Sequence, residues 1–421
     1  LLVGRADDGV RFCTLVDSAP EGVLVISGSP GVGKTSFLNV FQHLLEAGEA
    51  ACGPKLMAAR TLCSIQSQDS ARDVALRVLQ TLIRNVRDYC NSVSKPVPGQ
   101  IDKLSGWINN KPVTSWDFSI SVLGNGGGLG RSVSIPALSE ATFENFQDAI
   151  AIVVSDVVAH LNKDGVFIVL DNVENLDDEK RLAELLMAFR DTLFSTPRAW
   201  WVIIGQGGLY SLIQALDQRV TDRITGSGLE LKPISNTELD KAVDQRVEKF
   251  HAGGKGTAPI SPAVTAQLYS ASFGEIRFVF KYCNNICMAL ITEIRANLLK
   301  QKVGLSDAVV NKALGQMLVQ NYIPDDVARR LLAQIVSEEL QGLGLRPREK
   351  TLLLRIGEAG SARSKQFKEF GFKSAQDFSS NYLSRLQSLN LLVRKQEGKA
   401  ALYSLRGLAS LAMQLGLLSD H

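Results

Sequence analysis

The sequence predicts a parallel α/β sheet, then an all-helical region, then a C-terminal module of three helices closed by a β-hairpin. Three observations carry that order. The runs "GVLVIS", "GVFIVL" and "WVII" are apolar without alternation and of strand length, as strands buried on both faces are. The first of them runs into a glycine-rich turn and then into a helical pattern. Residues 346–421 show helical periodicity in three places, followed by two short strands that meet at "EGK".

Bulk properties frame these elements. A chain of 421 residues exceeds one ordinary core and is expected to form two or three domains. With 45% hydrophobic and 21% charged residues, it has the balance of a folded soluble protein. No apolar run nears the roughly 18 residues of a membrane span, so no membrane partner is expected and a cytoplasmic location is. The opening "LLVGR", without Met or a signal-peptide pattern, reads as that of a trimmed fragment. Six cysteines are scattered without a C-x-x-C, and Cys283 and Cys287, one helical turn apart, frame neither zinc nor a disulfide well. Reduced, buried thiols are the expectation. Four widely separated histidines suggest no metal site and no histidine catalysis.

The net charge of +3 is unevenly spread. Residues 346–421 carry thirteen Lys and Arg against six Asp and Glu, a net of +7, and the preceding residues carry 33 against 37, a net of −4. A basic terminal module on a mildly acidic body calls for a partner of its own.

The glycine-rich turn lies in "VISGSPGVGKTSF", residues 25–37. Within it "GSPGVGKT" satisfies G-x-x-x-x-G-K-[ST] with Gly28, Gly33, Lys34 and Thr35. The helical pattern after it places Phe37, Leu38, Phe41, Leu44 and Leu45 on one face. Strand, glycine loop and helix together aim backbone N–H groups and a helix N-terminus at an anion. Pro30, Gly31, Val32 and Gly33, with Lys34, Thr35 and Ser36, are therefore expected to cradle the phosphates of ATP. Lys34 should reach the β- and γ-phosphates, and Thr35 should hold Mg²⁺. This is a P-loop, and the fold class is that of an α/β P-loop NTPase.

A P-loop calls for a second signature, a buried strand ending in a carboxylate that serves the metal. "DGVFIVLDNVENL" supplies Asp171 at such a strand end. The base that orients the attacking water usually follows at once, but that position holds Asn172, and the next carboxylate is Glu174. Either Glu174 takes the role from slightly further on, or hydrolysis is slow. The strand-to-helix setting of "LDNVENL" favours Glu174, whose alternative is to cap or solvate the following helix.

Other stretches resemble the AAA+ class, in particular its initiator (origin-recognition-like) branch and the related STAND ATPases. "LLVGRADD" resembles the G-R-[ED] box that opens these modules, which implies that Val3, Gly4 and Arg5 lie at the base. "RAWWVIIGQGGLYSLI" resembles the strand bearing a polar sensor, a place taken here by Gln206 where Asn is commoner. "VTDRITGSGLELKPISNTELDKAVDQRV" resembles the passage into an all-α lid. It implies that Arg223, or else Arg219, is offered to a neighbouring subunit's nucleotide. "SASFGEIRFVF" resembles the lid helix with G-[DE]-x-R, which implies that Arg277 meets the γ-phosphate in cis through bidentate bonds. The resemblance spans roughly residues 1–300. Residues 115–135, "SWDFSISVLGNGGGLGRSVSI", depart from the initiator pattern and read as an inserted β-hairpin, a surface elaboration or a partner contact.

The basic module reads as a winged helix. Its first helix, residues 348–358, is apolar at Leu352, Leu353 and Ile356. A short second helix surrounds Phe367 and Phe370, and a third, residues 375–389, buries Phe378, Tyr382, Leu386 and Leu389. "LLVRKQ" and "ALYSL" form the wing. In that fold the third helix enters the major groove of double-stranded DNA. Ser380, Asn381, Ser384 and Arg385 would then face the bases, and Arg394, Lys395 and Lys399 would meet phosphates, which position without specifying sequence.

The expected organisation is a core at residues 1–230 with the hairpin near 112–136, a lid at 231–300, a helical linker at 301–344 and the winged helix at 345–421. The expected function is an ATPase switch that assembles through shared ATP sites and sits on DNA, as an initiator, loader or transposition-type regulator. The alternative is a STAND-like signalling or defence ATPase whose winged helix is a switch or protein-contact module.

Overall fold

The structure, a computed structural model, describes residues 2–49, 53–109, 115–120, 131–176, 179–250, 258–397 and 400–418. The chain divides into two compact units, Leu1–Lys232 and Pro233–His421.

In chain order the first unit runs α1 (Ala6–Asp17), β1 (Gly22–Gly28), α2 (Lys34–Ala47), β2 (Leu56–Met57), β3 (Cys63–Ser64), α3 (Ala71–Ser92), α4 (Gly99–Ile108), β4 (Ser115–Ile120), β5 (Arg131–Pro136), α5 (Phe143–His160), β6 (Gly165–Asp171), α6 (Glu179–Arg190), β7 (Ala199–Gly205), α7 (Leu209–Leu216), α8 (Gln218–Thr221) and β8 (Leu229–Leu231). The central sheet has the order β2-β6-β7-β1-β8, with β3 also on β6, and every pair is parallel. This is the P-loop α/β fold of AAA+ type that the sequence predicts.

Successive strand residues point to opposite faces, and here both faces are covered. Val23, Val25, Ile168, Trp201 and Ile203 join one apolar core, and Leu24, Ile26, Phe167, Val169, Trp200 and Val202 join the other. That is why these strands read as unbroken apolar runs. The first core also receives Val74, Val78, Leu79 and Leu82 of α3, whose start is held by a Ser70–Asp73 capping box. On the opposite face α1 meets α2 through Phe12, Phe37 and Phe41. A Cβ on Gly9 would lie 2.0 Å from Phe41 Cζ, so glycine is what lets these two helices close together.

The inserted hairpin forms as an antiparallel pair, in register from Ser115 opposite Pro136 to Ile120 opposite Arg131. Its turn lies outside the described residues. Trp107 Nε1 donates to the Pro136 carbonyl at 2.8 Å, tying the base of the hairpin to α4.

The second unit contains α9 (Asn236–Phe250), α10 (Pro262–Ala271), α11 (Ile276–Lys300), α12 (Asp307–Met317), α13 (Asp325–Gly342), α14 (Pro347–Ala359), β9 (Ala362–Arg363), α15 (Ser384–Ser388), β10 (Leu392–Glu397), β11 (Ala400–Leu405) and α16 (Leu408–Gln414). The strands form an antiparallel sheet in the order β10-β11-β9. One apolar cluster runs through the unit from Ile234 to Leu418, taking in Leu290 of α11, Leu332 of α13, Leu353 of α14 and Leu386 of α15.

Two features of the basic module differ from the sequence expectation. The stretch around Phe367 and Phe370 is a 3₁₀ turn at Ser364–Gln366 followed by further turns, in place of a short second helix. Gly371, at φ +79°, reverses the chain so that Phe370 and Phe372 both reach Phe378, with ring centroids 5.5 and 4.8 Å away. The third helix is not uniform either. Asp377–Leu383 is π-helical ahead of α15, and the Ser384 hydroxyl donates to the Ser379 carbonyl five residues back at 3.0 Å.

Candidate functional site

Three neighbouring parallel strands deliver the candidate residues to one edge of the sheet. In register, Ser27 of β1 stands opposite Gly205 of β7, and Leu170 of β6 stands opposite Ile203 of β7. The glycine loop after Gly28, Asp171 at the end of β6 and Gln206 just beyond β7 therefore leave adjacent carboxyl ends. Open α/β sheets form their ligand crevices at that edge.

The loop has the backbone that the glycine pattern demands. Gly28 approaches β8 so closely that a Cβ on it would lie 2.5 Å from the Leu231 carbonyl oxygen. Gly33, at φ +100°, precedes the first turn of α2, where a side chain would have room but not the backbone angle. Lys34 opens α2, and its ammonium donates to the Gly28 carbonyl at 2.7 Å and the Ser29 carbonyl at 3.2 Å. Thr35 and the exposed Ser36 follow in the first helical turn, where backbone N–H groups have no helical acceptor.

Arg5 braces this loop. Its side chain is only 6% exposed, and it donates to the Val32 carbonyl at 3.0 Å while pairing with Asp8 at 3.1 Å. Neighbouring Val3 is half-buried, and Gly4 takes φ +68°. The G-R pattern thus sets an arginine beneath the loop, a contact that spacing alone did not disclose.

Asp171 accepts from the backbone N–H of Asn172 at 2.9 Å. Asn172 sits in the left-handed region at φ +59°, and its amide donates to the Ser64 hydroxyl at 3.2 Å. This turn carries the chain into the 3₁₀ turn Val173–Asn175. Glu174 comes beside the end of β7, where a Cβ on Gly205 would be 3.3 Å from Glu174 Oε2 and 2.9 Å from Val173 Cγ2. The surrounding protein raises the Glu174 carboxyl above its ordinary value by desolvation; the charge of Asp171 adds to the rise and that of Lys34 opposes it. Glu174 thus feels the charges of both Lys34 and Asp171. Gln206 is exposed on the adjoining loop. Glu230 of β8 joins the same edge, with Oε1 3.2 Å from where a Cβ on Gly207 would stand, and no motif had marked it.

Arg219, in α8, and Arg223, just after it, are both exposed. Asp217 caps that helix by accepting from the Arg219 N–H at 2.7 Å, and Arg190 holds Asp217 at 3.4 Å. The Asp191 carboxyl is lowered first by its hydrogen bond from Arg190, with the Arg223 and Arg219 charges adding to the effect.

The remaining candidates belong to the second unit. Arg277 is exposed in the first turn of α11, after Gly274 at φ +86°. Ser380, Asn381 and Ser384 are exposed on the third helix; Asn381 donates to Asp377 at 2.7 Å, and the Ser384 hydroxyl donates to the Ser379 carbonyl as above. Arg385 is only part-exposed, and its Nε lies 2.8 Å from Oε1 of the fully buried Glu349. Arg394 is exposed on β10, and Lys395 follows on the same strand. Lys399 lies outside the described residues.

The donor set suits a magnesium nucleotide. Mg²⁺ is usually held by one or two carboxylates together with substrate phosphates, not by an all-protein cage. Among the described residues no group of three or more His, Cys, Asp or Glu is placed to hold a metal. Thr35, in the first turn of α2, and Asp171, at the end of β6, offer oxygens of that simpler kind. The Cys63 and Cys283 thiols are pushed up to about 12, chiefly by burial, as unreactive thiols are.

No family model and no curated protein matches the chain. Among solved structures it is similar to the ORC2 protein of Aeropyrum pernix in ADPNP and ADP complexes, at 15% identity and TM-score 0.46 over 98% of this chain and 93% of that one. It is also similar to a Walker-type ATPase of Pyrococcus abyssi, at 13% identity and TM-score 0.48 over 98% and 95%. The A. pernix ORC1 protein in complex with DNA aligns at 14% identity and TM-score 0.42 over 98% and 93%. At such scores the fold stands on the chain's own strand order and loop. Among the described residues no helix is long and apolar enough to cross a membrane.

Proposed function

We propose that the chain is an AAA+ ATPase switch that binds and hydrolyses ATP with Mg²⁺, assembles through shared ATP sites, and engages double-stranded DNA through its basic C-terminal module. The observation that carries the first part is the meeting of Lys34, Asp171, Glu174 and Gln206 at the carboxyl ends of three adjacent strands, with Glu174 close to the charges of Lys34 and Asp171. Pro30 to Ser36 cradle the phosphates, and Val3, Gly4 and Arg5 adjoin the base. Mg²⁺, held by Thr35 and Asp171, would neutralise charge on the β- and γ-oxygens. Glu174 accepts the proton of the attacking water, and Gln206 hydrogen-bonds the γ-phosphate. Arg277 senses the γ-phosphate in cis, and Arg223 completes a neighbour's site. The setting is a cytoplasmic initiator, loader or transposition-type regulator.

Two measurements test this. Lys34→Ala should lower ATP turnover by about a hundredfold or more, because it removes a preorganised charge from the phosphates; wild-type turnover in that variant overturns the nucleotide site. Binding to a labelled duplex should weaken steeply as salt rises. Removing Arg394 and Lys395 together should flatten the slope of log affinity against log salt by about 2.

A second reading is favoured by one observation. Arg385, the basic residue of the third helix, has its Nε set inward against buried Glu349. A STAND-like switch whose terminal module contacts protein fits that inward pairing. Absence of any salt-sensitive duplex binding, with or without ATP, would select it.

A further inference from the structure

We infer that Arg406 and Glu275 are positioning residues for Arg277, so that the C-terminal module sets the aim of the lid arginine. This rests on the reading of Arg277 as the residue that senses the γ-phosphate. Glu275 is the residue that precedes α11, and Arg277 lies two positions further on, in the first turn. The Glu275 carboxylate makes no capping bond to its own helix. It reaches instead to Arg406, whose Nη2 donates to Oε2 at 2.7 Å.

Arg406 is the residue after β11, the strand at the centre of the C-terminal sheet. It is 12% exposed and Glu275 26%, so the pair is poorly hydrated and its geometry is held. Two backbone bonds brace the same junction. The Gly407 N–H donates to the Ala271 carbonyl at the end of α10 at 2.8 Å, and the Arg406 N–H donates to Leu391 at 2.9 Å. Gly407 takes φ +56°, and a Cβ there would lie 3.3 Å from the Phe278 ring. The turn from α10 into α11 is therefore fastened to the end of β11: an ion pair at Glu275 and a tight approach at Phe278 hold the start of α11, and a backbone bond holds Ala271. β11 is paired in turn with β10, where Tyr403 stands opposite Arg394. A load on that hairpin would reach Glu275 through the Leu405–Arg406 peptide and the Arg406–Glu275 ion pair.

The test is the ratio of ATP to ADP affinity of the full chain, by titration with fluorescent nucleotides. Arg277→Ala is the reference, Glu275→Gln is an isosteric variant, and Arg406→Gln is a shorter uncharged one. Each single variant should lose roughly fivefold to tenfold of the ATP preference, a usual size for coupling between sites, with ADP affinity unchanged. Arg406→Lys should keep most of the preference, and the exchange Arg406→Glu with Glu275→Arg should restore part of it. If both single variants keep the wild-type ratio while Arg277→Ala abolishes it, or if ATP and ADP weaken equally, the inference is wrong and Arg277 keeps its role. If Arg277→Ala itself leaves the ratio unchanged, the sensing role fails and the inference goes with it.

Discussion

Glu174 shows how far a residue type and its spacing can be read. Asn172 occupies the usual place of the water-orienting base, and the left-handed turn it makes brings Glu174 round to the end of β7. Spacing alone left capping and catalysis both open, because a 3₁₀ turn could not be told from a first helical turn. The raised carboxyl gives the catalytic role a pH signature. A carboxyl raised by desolvation stays protonated to a higher pH, and a base works only when ionised. Turnover should therefore climb with pH through a value above the ordinary carboxylate range and then level off. Glu174→Gln should remove that limb and lower kcat by about a hundredfold or more, with nucleotide affinity kept. A variant that retains both rate and profile places the base elsewhere. Arg5 is the opposite case. Its motif was legible, but that its guanidinium supports Val32 depended on a contact 27 positions along the chain.

Elements carry a second set of consequences. The third helix of the basic module was legible from Phe378, Leu386 and the spacing between them, but its π-helical turn was not, because periodicity over a few residues does not separate 3.6 from a wider winding. Arg385 likewise looked like a solvent-face residue. Glu349, in the first turn of α14, caps that helix by accepting the Arg346 N–H at 2.8 Å and leaves its other oxygen toward Arg385. Removing one partner of such a pair leaves a buried charge uncompensated, which costs roughly 3 kcal/mol. Arg385→Ala should therefore destabilise the second unit by that amount, read as a lowered denaturant midpoint, while Arg385→Ala with Glu349→Gln should recover much of it. Equal midpoints for wild type and Arg385→Ala would mean that water already screens the pair.

At the scale of the whole molecule, the proposed sharing of ATP sites makes a prediction that no single chain can satisfy. Arg223→Ala chains keep an intact phosphate site, and Lys34→Ala chains keep an intact Arg223. Each alone should turn over slowly; mixed, they should regain activity, rising with total protein concentration. No recovery on mixing would confine the chemistry to one chain. What the sequence determined by itself was local: unbroken apolar strands, a glycine loop whose backbone angles only glycine adopts readily, a carboxylate at a strand end, and a surplus of positive charge after residue 345. Such features follow from short-range sterics and from burial on both faces of a sheet. Only the tertiary structure decided which of these meet. It set the strand order that brings Lys34, Asp171, Glu174 and Gln206 to one edge, and it paired Arg385 with Glu349 and Arg406 with Glu275. Those pairings join residues 36 and 131 positions apart, and what specifies them is the packing of several elements at once, which no window of sequence contains.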